Sequence, residues 1–68
     1  MYIVIELQGT GSAVSSINTA YETREEAESK YHAILAVAAT SSVPIHAAVM
    51  LTDEGFCLKN ERYKHGEG

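Results

Sequence analysis

The stretch TREEAESKYHAILAVAAT, residues 23–40, decides the fold because it is the one segment with a clear helical pattern. Thr23 and Glu26 have the spacing of a capping box, in which the threonine hydroxyl accepts a hydrogen bond from the Glu26 amide. Apolar residues then recur at the 3.6-residue spacing of one helix face. The sequence therefore predicts a single helix over residues 23–40.

The second half of this helix is apolar on every side. Charged residues line the first half, whereas residues 33–39 have no polar side. A helix that is apolar all round is buried all round, and one sheet can cover only one side of it. We therefore expect the small residues Ala33, Ala36 and Val37 to lie against another chain.

Four segments around the helix have the β-branched and aromatic content of strands. They are residues 2–7 and 13–21 before the helix, and residues 45–51 and 56–63 after it. The two glycines of the first loop are not followed by the helix and lysine of a phosphate-binding loop, so we interpret this loop as a hairpin turn.

This ββαββ order predicts an α+β fold in which the helix packs on one face of a four-stranded antiparallel sheet. Strands 1 and 3 are the most apolar, so we expect them at the centre of the order 2-1-3-4. The helix is expected to cover Ile3, Ile5, Leu7, Ile17, Val49, Leu51, Phe56 and Leu58. Residues 1–63 would form one domain and residues 64–68 a flexible tail.

Length and cysteine content describe a small domain with a thin core. A chain of 68 residues hides only about 60% of its unfolded surface. Domains of this size usually add disulfides, a metal or a partner chain. The single cysteine, Cys57, excludes an internal disulfide and favours a reducing compartment. No His or Cys pair has metal-ligand spacing, so we expect no metal, no cofactor and a partner chain as support.

Charge and hydropathy argue against several kinds of partner for this chain. Nine acidic residues against five basic ones give a net charge of −4, which argues against a nonspecific nucleic-acid surface. The N-terminus lacks the basic start and cleavage site of a signal peptide. No apolar run approaches the ~20 residues of a membrane span. We therefore expect a cytoplasmic protein without a membrane partner.

The sheet face opposite the helix is predicted to be an interface, because it would expose too many apolar groups to water. The predicted interface combines this face with the free side of the helix. Its residues are Tyr2, Val4, Ala33, Ala36, Val37, Ala48, Met50, Cys57 and Tyr63. The first functional hypothesis is a non-enzymatic interaction module that forms a homodimer or a higher oligomer.

His46 and Glu61 form the candidate polar site, because the predicted second hairpin places them opposite each other. A second hypothesis is therefore a small-ligand binder, with a pocket between subunits near His46, Cys57, Glu61 and Tyr63. Cys57 and His46 lie several residues apart along the sheet, too far for a nucleophile–base pair. An enzyme is not expected.

Nucleic-acid binding is a third hypothesis. Tyrosines on a sheet face can stack on bases, and the chain has Tyr2, Tyr21, Tyr31 and Tyr63. Basic residues that could contact phosphates cluster only at Lys59, Arg62 and Lys64. Packing in a core or an interface is the simpler interpretation of the tyrosines.

Three stretches resemble a group of short bacterial proteins of unknown function. They are MYIVIELQ at residues 1–8, AESKYH at residues 27–32 and AVMLTDEG at residues 48–55. All three are fold-forming segments, and the resemblance extends over the whole chain. It implies no activity, and no functional residue is carried over from it.

Overall fold

The computed structural model describes residues 1–65 as two β-hairpins joined by a helix. Strands β1 (Tyr2–Gly9) and β2 (Val14–Tyr21) precede helix α1 (Arg24–Ala38). Strands β3 (Ile45–Thr52) and β4 (Cys57–Lys64) follow it. The sheet order is β2-β1-β3-β4, and all neighbours are antiparallel. The predicted α+β fold, its single helix and its strand order are confirmed.

Local sequence sets both ends of α1. The Glu26 amide donates to the Thr23 hydroxyl at 3.2 Å, so Thr23 is the N-cap as predicted. The helix ends at Ala38, two residues before the predicted end. There the amides of Thr40 and Ser41 donate back to the carbonyls of the last turn. Pro44 then lies in the loop that leads to β3.

The route of the chain determines which sheet face α1 covers. β2 and β3 run parallel, because β1 lies between them and is antiparallel to both. A helix that joins two parallel strands makes a crossover that is almost always right-handed.

The first hairpin then fixes which side chains point to that face. It closes with the Thr10 amide donating to the Ala13 carbonyl at 2.9 Å, so the odd-numbered residues of β2 direct their backbone groups toward β1. A right-handed crossover puts the helix on one definite side of the sheet. Because the residues are L-amino acids, this hydrogen-bond register points the odd-numbered side chains of β2 to that same side, beneath the helix. Their partners, the even-numbered side chains of β1, lie on the same side.

The core lies between α1 and this covered face of the sheet. Its buried members are Val4, Ala48 and Met50 of the sheet and Ala27, Tyr31 and Ile34 of the helix, with Tyr2, Tyr21 and Leu35 packed at the margin. Met50 and Val4 are the largest fully buried side chains, and four of the six central members are alanine or β-branched residues. The core is thin, as expected for a chain of this length.

The predicted orientation of the sheet is wrong. The pattern of large apolar residues predicts a helix over Ile3, Ile5 and Leu7, whereas α1 covers the alternate set that contains Val4. Ala48 and Met50, predicted on a free interface face, are likewise buried beneath the helix. The handedness of the crossover and the register of the first hairpin outweigh side-chain size in choosing the covered face.

Three other residues predicted beneath the helix are also largely exposed. Ile17 does lie on the covered face, opposite Glu6, but it is 58% exposed because β2 is an edge strand. Phe56 lies in the turn and Leu58 at the start of β4, and both are exposed. The core therefore contains none of these three side chains.

A β-bulge in the second hairpin changes the pairing of β4. Leu51 pairs with Cys57, but the next residue of β3, Met50, pairs with Lys59, so Leu58 has no partner of its own. An extra residue of this kind shifts the register of the strand beyond it. Cys57 therefore lies on the side of the sheet opposite to the helix.

The same shift separates the two residues of the predicted polar site. His46 pairs with Tyr63 rather than with Glu61, and Glu61 pairs with Ala48. The prediction of a His46–Glu61 cross-strand pair is therefore wrong.

The folded unit extends slightly beyond the predicted domain end. Lys64 belongs to β4, and the His65 amide donates to the Pro44 carbonyl at 2.7 Å. The predicted tail of residues 64–68 therefore begins too early. Its last part, residues 66–68, lies outside the described residues.

Candidate interaction surface

The sheet face opposite α1 has an apolar centre, which we call the open face: Ile3, Ile5, Leu7, Val49 and Leu51. The register places Ile3 opposite Leu51 and Ile5 opposite Val49, so the five side chains form one patch on the two central strands. Each is partly exposed. Within residues 1–65 the single helix lies on the other face, and no other helix or strand is available to cover this one.

The two outer strands give the open face a mostly polar margin, in which Val14 and Ala20 are the apolar members. On this side β2 contributes Val14, Ser16, Asn18 and Ala20. On the same side β4 contributes Cys57, Asn60, Arg62 and Lys64. An apolar centre with a polar rim is the usual anatomy of a protein–protein interface.

Cys57 is an exposed thiol that neighbouring groups hold at one end of this face. The Asn60 side-chain amide donates to its Sγ at 3.3 Å, and the thiol donates to the Lys59 carbonyl at 3.6 Å. Cys57 pairs with Leu51 of the open face, whereas His46 belongs to the covered face. The structure therefore does not bring the thiol and the imidazole together as a catalytic pair.

His46 makes its polar contact with a residue that the sequence did not suggest. It is 3% exposed, and its Nε2 lies 2.7 Å from Oε2 of Glu6 on the neighbouring strand β1. The Gln8 side-chain amide also donates to that carboxylate oxygen, at 3.2 Å. The pair joins the two central strands on the covered face.

The chemistry of this pair indicates how its protons are arranged. The hydrogen bond from His46 lowers the pKa of Glu6, although burial of the carboxylate opposes the shift. An ionised carboxylate only accepts hydrogen bonds, so Nε2 of His46 is the donor. Within residues 1–65 the buried Nδ1 has no partner. The arrangement is a polar pair that links β1 and β3, and in the described part of the chain the imidazole has no second hydrogen-bond partner with which to exchange a proton.

The predicted ligand pocket is not assembled around His46. Glu61 is exposed on β4, and Cys57 lies on the other side of the sheet. A groove of about 550 Å³ is instead present between α1 and β2, and it is widely open to solvent. Its lining residues are Tyr21, Glu25, Glu26, Ser29, Lys30 and Ala33.

The tyrosines predicted to stack on bases are mostly used in packing. Tyr31 is in the core, where burial raises its pKa. Tyr2 and Tyr21 pack at the core margin. Lys59 lies 6.0 Å from the centre of the Tyr31 ring and 3.3 Å from the Glu28 carboxylate, so this cation already has partners within the chain.

His65 and Tyr63 close the end of the core near the helix C-terminus. Nε2 of His65 donates to the Ala38 carbonyl of the last helical turn at 2.7 Å, and the same carbonyl accepts from the Ser41 amide at 3.2 Å. The rings of Tyr63 and His65 stack with an interplanar angle of 6°. Tyr63, predicted in the interface, therefore contributes to the C-terminal contact of α1 instead of the open face.

The free side of the helix is a second exposed apolar surface. Ala33 and Ala36 are exposed, and Val37 is 60% exposed. The structure thus leaves these three predicted interface residues accessible, on the opposite side of the molecule from the open face. Whether a partner binds them stays a prediction.

Other kinds of site find little support among residues 1–65. In that range no three His, Cys, Asp or Glu side chains are grouped so that they could hold a metal ion. The helix in that range is neither long nor apolar enough to span a membrane. Comparisons with protein-family models, curated proteins and solved structures find no match for this chain.

The sequence contained a signal that identifies which sheet face stays free, but the sizes of the side chains indicated the opposite face. Two hairpins joined by a helix, in the order 2-1-3-4, require a crossover between parallel strands, and its hand is known in advance. Combined with a four-residue turn from Thr10 to Ala13, that hand assigns the odd-numbered residues of β1 to the free face. The Glu6–His46 pair had no such signal, because no turn connects β1 to β3.

Proposed function

We propose that this protein is a non-enzymatic interaction module that self-associates through the open face. The placement of its large apolar side chains carries the proposal. Ile3, Ile5, Leu7 and Leu51 lie outside the core, whereas the core includes Ala27 and Ala48. Burying an aliphatic side chain of this size stabilises by about 1.5–3 kcal/mol. In a single chain these side chains stay partly exposed, so they contribute only part of that stabilising free energy.

The size of the sheet suits a stable contact between two copies. The protein measures 37 by 21 by 15 Å along its principal axes, so its broad side fits within a rectangle of about 780 Å², the product of the two longer extents. A standard interface buries about 800 Å² on each partner. A second copy packed on this side would therefore make an interface of ordinary size.

A second copy is the occupant that the chemistry of the face favours. The five residues of the open face carry no charge, so two copies can approach without repulsion at the centre. A two-fold contact uses the same patch on both chains, and an uncharged aliphatic patch is complementary to itself. The helix surface around Val37 is the weaker candidate, because its central residues are alanines that bury little area.

We further propose a cytoplasmic location. Cys57 is exposed and unpaired among the residues that the structure describes. An accessible free thiol is typical of a reducing compartment. Oxidation to an intermolecular disulfide under air, reversed by reductant, would agree with this assignment.

The test is a charge placed at the centre of the open face. In Ile5→Lys, two lysines would have to be buried together in the contact, so association through the open face should be lost. Ser42→Lys is the matched control, because Ser42 is exposed in the loop after α1. Masses are measured by size-exclusion chromatography with light scattering at low micromolar concentration.

The expected masses separate the possible outcomes. Wild type and Ser42→Lys should have at least twice the 7.4 kDa mass of the chain, and Ile5→Lys should have a smaller mass than both. A monomeric wild type overturns the proposal. So does an Ile5→Lys variant that keeps the wild-type mass. If Val37→Lys lowers the mass and Ile5→Lys does not, the helix surface is the interface instead.

A further inference from the structure

We propose that β2 is a second self-association site, at which the β2 strands of two chains pair antiparallel and continue the sheet. The proposal rests on the proposed self-association and adds an edge contact to the face contact. It follows from a difference between the two edges of the sheet. The outer strands in the order β2-β1-β3-β4 are β2 and β4.

β4 has the features by which proteins protect a sheet edge, and β2 has none of them. The β4 sequence CLKNERYK has four charged residues and begins with the bulge at Leu58. Charges and bulges both discourage pairing with another strand. The β2 sequence VSSINTAY has eight residues without a charge or a proline, and its pairing to β1 is regular throughout.

The hydrogen bonds of the first hairpin show which β2 groups are free. Because Thr10 bonds to Ala13, bonded pairs alternate from that point, and the odd-numbered residues of β2 bond to β1. The backbone N–H and C=O groups of Val14, Ser16 and Asn18 therefore point away from the sheet. They form a straight row of donors and acceptors along the edge.

Only one class of register lets two such rows pair. In an antiparallel pair, opposite residues either both bond across the gap or both do not. Outward-pointing residues must therefore face outward-pointing residues, which are all even-numbered. The register centred on Ile17 satisfies this condition, since Ser16 of each chain then pairs with Asn18 of the other.

This register also explains the exposure of Ile17. Ile17 is 58% exposed at the middle of β2, on the same side of the sheet as the helix. Centred pairing places the two Ile17 residues directly opposite each other in a non-bonded pair, where side chains approach most closely. The exposed isoleucine is thereby covered by its own copy.

Edge pairing would enlarge the open face and leave it uncovered. Because even-numbered residues pair with even-numbered residues, both helices lie on one side of the joined sheet and both open faces on the other. The face contact thus remains available to each edge-paired dimer. Two such dimers packed face to face make four chains, about 30 kDa for a 7.4 kDa chain, and a closed assembly of D2 symmetry accommodates both contacts.

Asn18→Pro tests the edge contact and keeps the five apolar side chains of the open face, although Asn18 itself belongs to the margin of that face beside Ile5. The Asn18 amide points outward, so proline removes a donor at the edge and no hydrogen bond within the chain, a position where proline is tolerated in strands. Asn18→Thr is the matched control, because it keeps the amide. Ile17→Lys is a second variant, since it brings two charges together at the two-fold axis while altering an exposed side chain.

Masses by light scattering, with circular dichroism to check folding, decide the inference. We expect about 30 kDa for wild type and Asn18→Thr, and about 15 kDa for Asn18→Pro and Ile17→Lys, which correspond to four and two chains of 7.4 kDa. Folded Asn18→Pro and Ile17→Lys variants with the wild-type mass overturn the edge contact. The edge contact is also overturned if the wild-type protein contains two chains or fewer and neither variant lowers its mass.

The result separates this inference from the proposed function. If Ile5→Lys lowers the mass and the two β2 variants do not, the face contact stands and the edge contact fails. If the β2 variants lower the mass and Ile5→Lys does not, the edge contact stands alone. Combining Ile5→Lys with Asn18→Pro should give a single chain of 7.4 kDa, and a larger mass contradicts the two-contact assembly.

Discussion

The two faces of this sheet differ in a way that separates folding from association. The covered face has Val4, Ala48 and Met50 beneath the helix, together with the polar pair Glu6 and His46. The open face has a continuous set of isoleucine, leucine and valine side chains and no helix. The more apolar face is therefore the one that the single chain leaves exposed.

This difference shows that the connectivity of the chain and the size of its side chains can favour placing the helix on opposite faces of a sheet. The crossover from β2 to β3 fixes the side on which the helix lies. On that side, the small Ala48 leaves room for the Tyr31 and Ile34 side chains of the helix. The larger aliphatic residues stay partly exposed in the single chain, and the proposed self-association would bury them further.

The largest expected effect compares neighbouring residues on the two faces. Met50→Ala removes the largest fully buried side chain and should lower the free energy of unfolding by about 2–5 kcal/mol. Val49→Ala, on the open face, should cost the dissociated chain about 1 kcal/mol or less. Urea unfolding at a concentration where the protein is a single chain measures both values.

The same two variants can contradict the proposed difference between the covered face and the open face. The cost of Val49→Ala should rise as protein concentration rises, because association then contributes to stability. The cost of Met50→Ala should stay the same. Equal costs for the two variants in the dissociated chain would show that the two faces do not differ as described.

The polar pair on the covered face gives the next effect. Glu6→Ala leaves the 3% exposed His46 without its partner and should cost about 1–3 kcal/mol at pH 7. Gln8→Ala removes only the second donor to the same carboxylate and should cost less. Urea unfolding would contradict this view of the pair if Gln8→Ala proved the more costly of the two.

The same pair predicts a pH dependence with a definite sign. The pKa of Glu6 is lowered in the folded protein, chiefly by the hydrogen bond from His46. The ionised carboxylate therefore stabilises the fold fully above its unfolded pKa, and this contribution is lost as pH falls through the folded pKa. The stability difference between wild type and Glu6→Gln should narrow from about pH 5 to pH 3. A difference that stays constant over that window is the contrary result.

The smallest effect lies away from both faces. Thr23→Ala removes the acceptor of the Glu26 amide at the start of α1 and should cost about 1 kcal/mol. Thr23→Ser keeps the acceptor and should cost less. Because the cap belongs to neither face, this cost should not change with protein concentration, and a dependence on concentration would place the helix start in the contact.

Much of the fold could be predicted because local signals determine it. The Thr23 cap, the loop glycines and Pro44 placed the elements within a few residues of their observed bounds. The low hydropathy of β2 placed it correctly at an edge. These signals act over a few residues, so a single sequence contains them.

The features that could not be predicted depend on contacts between distant segments. Glu6 and His46 are 40 residues apart, on strands that no turn connects, so nothing local sets their register. The bulge at Leu58 shifts the pairing of β4, and no local pattern in the sequence CLKNERYK predicts this bulge. The covered face was predictable in principle, but only from the handedness of the crossover combined with the turn from Thr10 to Ala13.

Thiol accessibility at two adjacent positions tests the central difference between the faces most directly. In a Cys57→Ser background, cysteine is introduced as Val49→Cys on the open face or as Met50→Cys on the covered face, and its reaction with a thiol reagent is followed across protein concentration. Val49→Cys should react in dilute solution and become protected as concentration rises, while Met50→Cys should stay protected until the chain unfolds. A Met50→Cys variant that reacts while folded, with Val49→Cys protected even at high dilution, would contradict the account.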